Sequence, residues 1–134
     1  MRVGWVRTDG SSNLWRTIQY GNRAQWVATT SEYQIMTSGN QSSWFAVATG
    51  SYVPTTASEI IVAVYHPNDA GRAFVAPNNA LSTTYGMFGI GANGAYGIEG
   101  TAQGSMNLES SNIYYYATGG GGSKLYAQGW IDNF

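Results

Sequence analysis

The sequence predicts an all-β fold, a single β-sandwich of jelly-roll type built from about ten short antiparallel strands. Three observations carry that reading. No apolar i, i+3, i+4, i+7 stripe extends beyond about two turns of helix, and glycine, 18 of the 134 residues, interrupts most windows. Alternating runs instead recur at a spacing of roughly 8 to 12 residues, bounded by Gly, Asn, Asp and Ser. Aromatic residues make up 14% of the chain, mainly 10 Tyr and 5 Trp, types that favour half-buried pleated surfaces.

Taken in order, Val3 to Thr8 reads as a strand, followed by the turn-rich stretch Asp9 to Asn13 and a second strand, Leu14 to Tyr20. In the second strand Leu14, Arg16, Ile18 and Tyr20 share a face, opposite Trp15, Thr17 and Gln19. Gly21-Asn22 suits a two-residue type II′ turn, returning the chain into Ala24 to Thr29, so residues 3 to 29 read as a three-stranded meander. Tyr33 to Thr37 and Trp44 to Ala48 alternate next. Ser58 to His66, "SEIIVAVYH", is nearly continuous in apolar and β-branched residues, the mark of a central strand buried on both faces. The stretch His66 to Gly71 has turn chemistry. Ala73 to Ala76, Tyr85 to Ile90 and Met106 to Glu109 complete the middle of the chain.

The end of the chain holds Gly119-Gly120-Gly121-Gly122-Ser123, a run with the composition of a flexible spacer. Too few residues follow it to form a second domain. Those that follow alternate, Leu125, Ala127, Gly129 and Ile131 against Tyr126, Gln128, Trp130 and Asp132. Before the run, Ile113, Tyr115 and Ala117 oppose Tyr114 and Tyr116. Two aromatic-rich runs joined by a short glycine loop read as a β-hairpin, and residues 1–134 as one domain.

Charge narrows the function classes. Charged residues are 10% of the chain and the net charge is −1, well below the roughly 25% charged content of ordinary soluble domains. Arg2, Arg7, Arg16, Arg23, Arg72 and Lys124 form no tight run, although four of the 6 cations fall early in the chain. Nucleic-acid binding needs several cations on one surface, so no nucleic-acid partner is expected. The longest strongly apolar run, Ile60 to Tyr65, is too short to span a bilayer, and Met1-Arg2 leads into no apolar leader segment. A soluble protein with no membrane partner is expected. Little net repulsion separates copies, which favours self-association or docking on a larger body.

No residue pattern specifies chemistry. "GIGANG", residues 89 to 94, satisfies G-x-G-x-x-G in letter, but the glycines that follow would break the helix a dinucleotide site requires. A glycine-rich loop or bulged strand is the expectation. His66 is the single histidine and cysteine is absent, which removes thiol chemistry and disfavours a transition-metal site. A Ser-His-Asp arrangement would have to use His66, beside Pro67 and Asp69, yet no Gly-x-Ser-x-Gly elbow exists. The 7 carboxylates, Asp9, Glu32, Glu59, Asp69, Glu99, Glu109 and Asp132, show no spacing that favours a glycosidase pair. Asp9 and Asp69 read as Asx-turn residues, with loop calcium the alternative role. Trp5, Trp15, Trp26, Trp44 and Trp130 divide between core or subunit contacts and a platform for sugar rings. The expectation is a protein with no catalytic residues, cofactor or metal, and with any ligand-binding residues unassigned.

"VRTDGSSNLWRTIQYGNR", residues 6 to 23, and "KLYAQGWIDNF", residues 124 to 134, resemble the start and finish of small, uncharacterised proteins encoded among tailed-bacteriophage structural genes. "GSYVPTTASEIIVAVY", residues 50 to 65, is similar to a Val-Pro-Thr-Thr-Ala lead into a central strand in the same group. The resemblance implies a virion component: a decoration or cement protein on the capsid, partnered by the major capsid protein. The alternative it implies is a tail-fibre or appendage module that meets tail proteins and a host-surface glycan. Such parts are commonly β-sandwiches or jelly rolls, often homotrimers, and the expected location is the virion.

Overall fold

The computed structural model describes residues 5–8, 11–27, 34–37, 41–67, 71–82, 86–92, 99–119 and 122–133. Its strands are β1 (Thr17–Tyr20), β2 (Arg23–Trp26), β3 (Gln34–Thr37), β4 (Gln41–Ala48), β5 (Ala57–His66), β6 (Gly71–Ala76), β7 (Phe88–Ala92), β8 (Gly100–Asn107), β9 (Asn112–Thr118) and β10 (Lys124–Asp132). All pairings are antiparallel and form two packed sheets. The larger sheet runs β1-β2-β10-β5-β8, with β3 also on β10, and the smaller runs β4-β9-β6-β7.

β2 meets β10 at Gly129 to Ile131 and β3 meets it at Lys124 to Tyr126, both antiparallel. The two pair with successive stretches of β10. Counted as one, they give the sheets the strand interleaving of a double Greek key: first, eighth, third, sixth in one sheet and second, seventh, fourth, fifth in the other. That is the jelly-roll order, with β1 added as an extra edge strand.

The core lies between the sheets. Ile60, Val62 and Val64 of β5, Leu125, Ala127 and Trp130 of β10, and Met106 of β8 meet Val47, Ala73, Val75, Ile113, Tyr115 and Ala117 of the smaller sheet. β5 lies between β10 and β8, and Ile61 and Ala63 on its other face are buried as well. This is the central, doubly buried strand its apolar run predicts. Across β1 and β2, Tyr20 pairs with Arg23 around Gly21, whose φ is +59°. Asn22 is not in the positive-φ region, as a type II′ turn requires.

Several expectations are corrected. Residues 5–7 form no strand; an isolated bridge joins Thr8 to Leu14, so the meander reduces to the β1–β2 hairpin with this bridge beside it. The strand expected over residues 106–109 instead begins at Gly100 and ends at Asn107. β9 and β10 do not pair: they belong to different sheets, so the connection between them passes from one sheet to the other and closes no hairpin. The alternation read for β10 also breaks, because its register against β5 shifts between Ala127 and Gly129. The extra residue, Gln128, is a bulge. It reverses the parity and carries Trp130 onto the core side with Leu125 and Ala127.

Small residues seat large ones across the interior. A Cβ on Gly100 would fall 2.5 Å from Ile90 Cγ1, and one on Gly104 would fall 3.2 Å from Phe88 Cε1. The inner face of β8 is therefore Gly100, Ala102, Gly104 and Met106, a sequence without apolar signal until Met106. Trp5, Trp15, Trp26 and Trp130 form one aromatic cluster with centroid separations of 5.0 to 5.6 Å. Edge and tilted contacts of this kind each contribute about 0.5–1.5 kcal/mol beyond area burial.

Candidate functional site

Among residues the sequence singles out, His66 ends β5 and Ser123 immediately precedes β10, and their side chains meet inside the sandwich. Nδ1 lies 2.6 Å from Ser123 Oγ, and both residues are 0% exposed. His66 Nε2 is buried and has no hydrogen-bond partner among the described residues. The Tyr115 phenol approaches the same serine, but Ser123 Oγ is held by His66 and the phenol makes no well-formed hydrogen bond. Burial pushes Tyr115 up to about 12, with the nearby serine offsetting only part of that rise. A serine nucleophile needs an adjacent base, an orienting third group and room for a substrate carbonyl. This pair has contact without access, so the arrangement works as a polar tie between strands.

The carboxylates are scattered. Asp132 is buried, accepting from Thr56 Oγ1 at 2.8 Å and from Trp130 Nε1 at 3.1 Å, which ties the end of β10 to the chain entering β5. Glu109 is exposed and accepts from Asn78 Nδ2 at 2.9 Å. Asp9, Glu32 and Asp69 lie outside the described residues, and with them the Asx-turn and calcium readings. Among the described residues no group of three or more His, Cys, Asp or Glu side chains comes together. Among the described residues the cations do not cluster either. Arg16 and Arg23 are exposed, whereas the Arg7 guanidinium is clamped 3.9 Å from the Trp15 ring centroid and 4.4 Å from that of Tyr52. The dinucleotide-like glycines fall in β7 as far as Ala92; the remainder lie outside the described residues.

A cleft of about 240 Å³ opens at one end of the sandwich, between the β4–β5 connection and the β8–β9 turn. Val53, Pro54 and Leu108 line it with the hydroxyl residues Thr49, Thr55, Ser110 and Ser111. The Thr49 hydroxyl is already engaged, donating to Ser111 O at 3.0 Å. The volume falls below the roughly 300–1,000 Å³ of typical small-molecule sites, and among the described residues no charged group lines it.

An aromatic row lies on the outer face of the smaller sheet, with Trp44 and Phe74 half-buried and Tyr116 between them only 6% exposed. Ala73, Val75, Tyr115 and Ala117 point inward, so Arg72, Phe74, Tyr114 and Tyr116 point outward by alternation. Trp44 of β4, Tyr116 of β9 and Phe74 of β6 form a row across three strands. The Trp44 and Tyr116 centroids are 5.9 Å apart with planes at 58°, and those of Tyr116 and Phe74 are 6.4 Å apart with planes at 16°. Phe74 lies over Gly89 of β7, where a Cβ would run into its ring. Gly86, at φ +51°, leaves the same ring room. Trp44 is fixed by donation from Nε1 to Leu81 O at 2.7 Å. Arg72 completes the surface, its guanidinium carbon 5.9 Å from the Phe74 centroid and 6.0 Å from that of Tyr116.

No protein-family model, curated protein or solved structure matches this chain.

The sequence signalled an aromatic surplus without assigning it. Trp15, Trp26 and Trp130 are core residues and Trp5 packs against them, leaving Trp44 as the tryptophan on the outer row. Its signal was the outward parity of Phe74 and Tyr116, which becomes usable only once β6 and β9 are known to be neighbours.

Proposed function

We propose that this chain is a non-enzymatic structural subunit of a bacteriophage virion, a decoration protein docked on the outer capsid shell. The observation that carries the reading is the apolar character of its exposed surface. Val6, Leu14, Ile18, Tyr20, Phe45, Leu81 and Met87 are all exposed. A chain with 10% charged residues and such surfaces is suited to life among neighbours, where docking removes them from water. The resemblance of residues 6 to 23, 50 to 65 and 124 to 134 to phage structural proteins supplies the particle. In this role it bridges shell subunits through apolar and backbone contacts. Quantitative mass spectrometry of purified particles tests it: copies in simple proportion to the major capsid protein, and shells that lose heat resistance without the chain, are expected. A handful of copies per particle, or unchanged heat resistance, refutes it.

A second reading rests on the outer aromatic row. Trp44 and Phe74, half-buried on either side of the nearly covered Tyr116, offer ring surface and Arg72 a hydrogen-bond donor of the kind a sugar-binding site uses, which suits a tail module recognising host-surface glycans. Glycan-array binding that is lost in both Trp44→Ala and Phe74→Ala supports it. An array without hits removes it.

A further inference from the structure

We propose that the cleft between the β4–β5 connection and the β8–β9 turn is the seat of the Phe134 side chain of the same molecule. This inference does not depend on the particle to which the protein belongs.

Phe134 itself lies outside the described residues, and the backbone leading to it sets where its side chain goes. Asp132 is the last residue of β10 and lies opposite Ala57, the first of β5. Beyond that pair Asn133 N donates to Thr56 O at 3.4 Å, so the chain continues antiparallel to the stretch that enters β5. One more residue in the same direction sets Phe134 opposite Thr55, which lines the cleft together with Pro54 and Ala57. Alternation then decides the side. Trp130 belongs to the core, Asp132 is buried and accepts from Trp130 Nε1, and Asn133 is exposed. Position 134 therefore shares the inward side of Trp130 and Asp132, the side on which the cleft opens.

The cleft suits one aromatic ring. Its volume is about 240 Å³, small for a ligand, whereas a cavity of about 150 Å³ already accepts benzene. Val53, Pro54 and Ala57 form one apolar wall and Leu108 stands on the other. Val53 is a core residue, and Ala57 and Leu108 pack against the core, so a ring seated there continues the core to the end of the sandwich and leaves water. The Thr49 hydroxyl is already turned to Ser111 O, and among the described residues no charged group lines the cleft. Seating the ring therefore strands no buried charge. The contact works as a latch. It adds to the Thr56–Asp132 and Asn22–Asp132 hydrogen bonds that already hold the end of β10, and an aromatic side chain from another protein gains the cleft only by displacing Phe134.

Methyl NMR reads the seat directly, because an aromatic ring displaces the resonances of methyl groups packed on its face. The Val53 and Leu108 methyl resonances of the unaltered protein are expected to differ from those of both Phe134→Ala and Phe134→Leu, neither of which carries the ring. Phe134→Leu still fills the cleft with an apolar side chain and should melt close to the parent, whereas Phe134→Ala should melt lower by about 3–6 °C. Benzene added to Phe134→Ala should move the same methyl resonances, and at the same concentration should leave those of the parent unchanged. Val53 and Leu108 resonances that are identical in the parent and both variants would overturn the proposal. So would a displacement in the parent that vanishes on dilution, because the ring would then belong to a second copy.

Discussion

Replacing Tyr115 with phenylalanine isolates one buried hydroxyl. The phenol is 0% exposed and sits in the core beside the His66–Ser123 tie, and its acidity is displaced from 10.0 to about 12, chiefly by burial. A raised folded-state value leaves stability whole below pH 10, where the phenol is protonated in both states. Between pH 10 and pH 12 the unfolded chain releases the proton and the folded chain keeps it, so stability falls as pH rises. Two pH units of displacement correspond to a loss of roughly 2–3 kcal/mol, most of it reached by pH 12. Tyr115→Phe removes this term and leaves the other tyrosines in place in both proteins. Urea titrations at pH 8 and pH 11.5 measure it. At pH 8 the variant is expected within about 1 kcal/mol of the parent, on the stabilising side, because an ill-partnered buried hydroxyl is lost. At pH 11.5 the difference should move by a further 2 kcal/mol or so in favour of the variant. A variant destabilised by more than about 2 kcal/mol at pH 8, with the same alkaline fall as the parent, would mean that the phenol is properly hydrogen-bonded and the reasoning is wrong.

Two further outcomes follow from the packing. Gly89→Ala should cost at least about 2 kcal/mol in urea unfolding, because a Cβ there meets the Phe74 ring and the Ala73 carbonyl. Gly50→Ala, with nothing within 4 Å, should stay within about 0.5 kcal/mol of the parent, and equal effects at the two positions would contradict the seating of Phe74. Ser123→Ala leaves His66 without its partner and should cost about 1–3 kcal/mol; an unchanged melting temperature would show that the tie contributes nothing.

The sequence was most readable where burial is symmetric and least where neighbours decide. β5 could be placed at the centre because Ile60 to Val64 is apolar at every position, and burial on both faces demands that. β8 could not, because Gly100, Ala102 and Gly104 are small for the sake of Ile90 and Phe88 in another strand, and that reason is invisible in the segment itself. Alternation in β10 predicted Trp130 beside Tyr126. The bulge at Gln128 reversed this, and a bulge inserts a residue without any required residue type. The candidate surface was half readable. Aromatic abundance was evident, whereas the row of Trp44, Phe74 and Tyr116 draws on three strands whose adjacency depends on the Greek-key order.

The glycine run shows why a local signal can support two topologies. Short loop, alternation before and alternation after describe a hairpin and an inter-sheet arch equally well, because both need a reversal and both flank it with half-buried strands. What separates them is where the inward residues point. Ile113, Tyr115 and Ala117 face Leu125 and Ala127 across the core; in a hairpin the two sets would lie side by side in one sheet. The chain must therefore cross the roughly 10 Å between sheets, and one turn and two close contacts mark the flanks of the crossing. Gly119 turns at φ +86°, Gly71 of β6 packs so closely on Thr118 and Gly119 that a Cβ would strike their backbone, and Gly122 sits against Pro67, 2.8 Å from where its Cβ would lie to the ring Cγ. Ser123 then turns inward to His66. A flexible spacer has no buried side chain at its end and no close-packed backbone along its flanks. The described flanks of this run have both, so Gly119 and Gly122 serve close approach rather than reach.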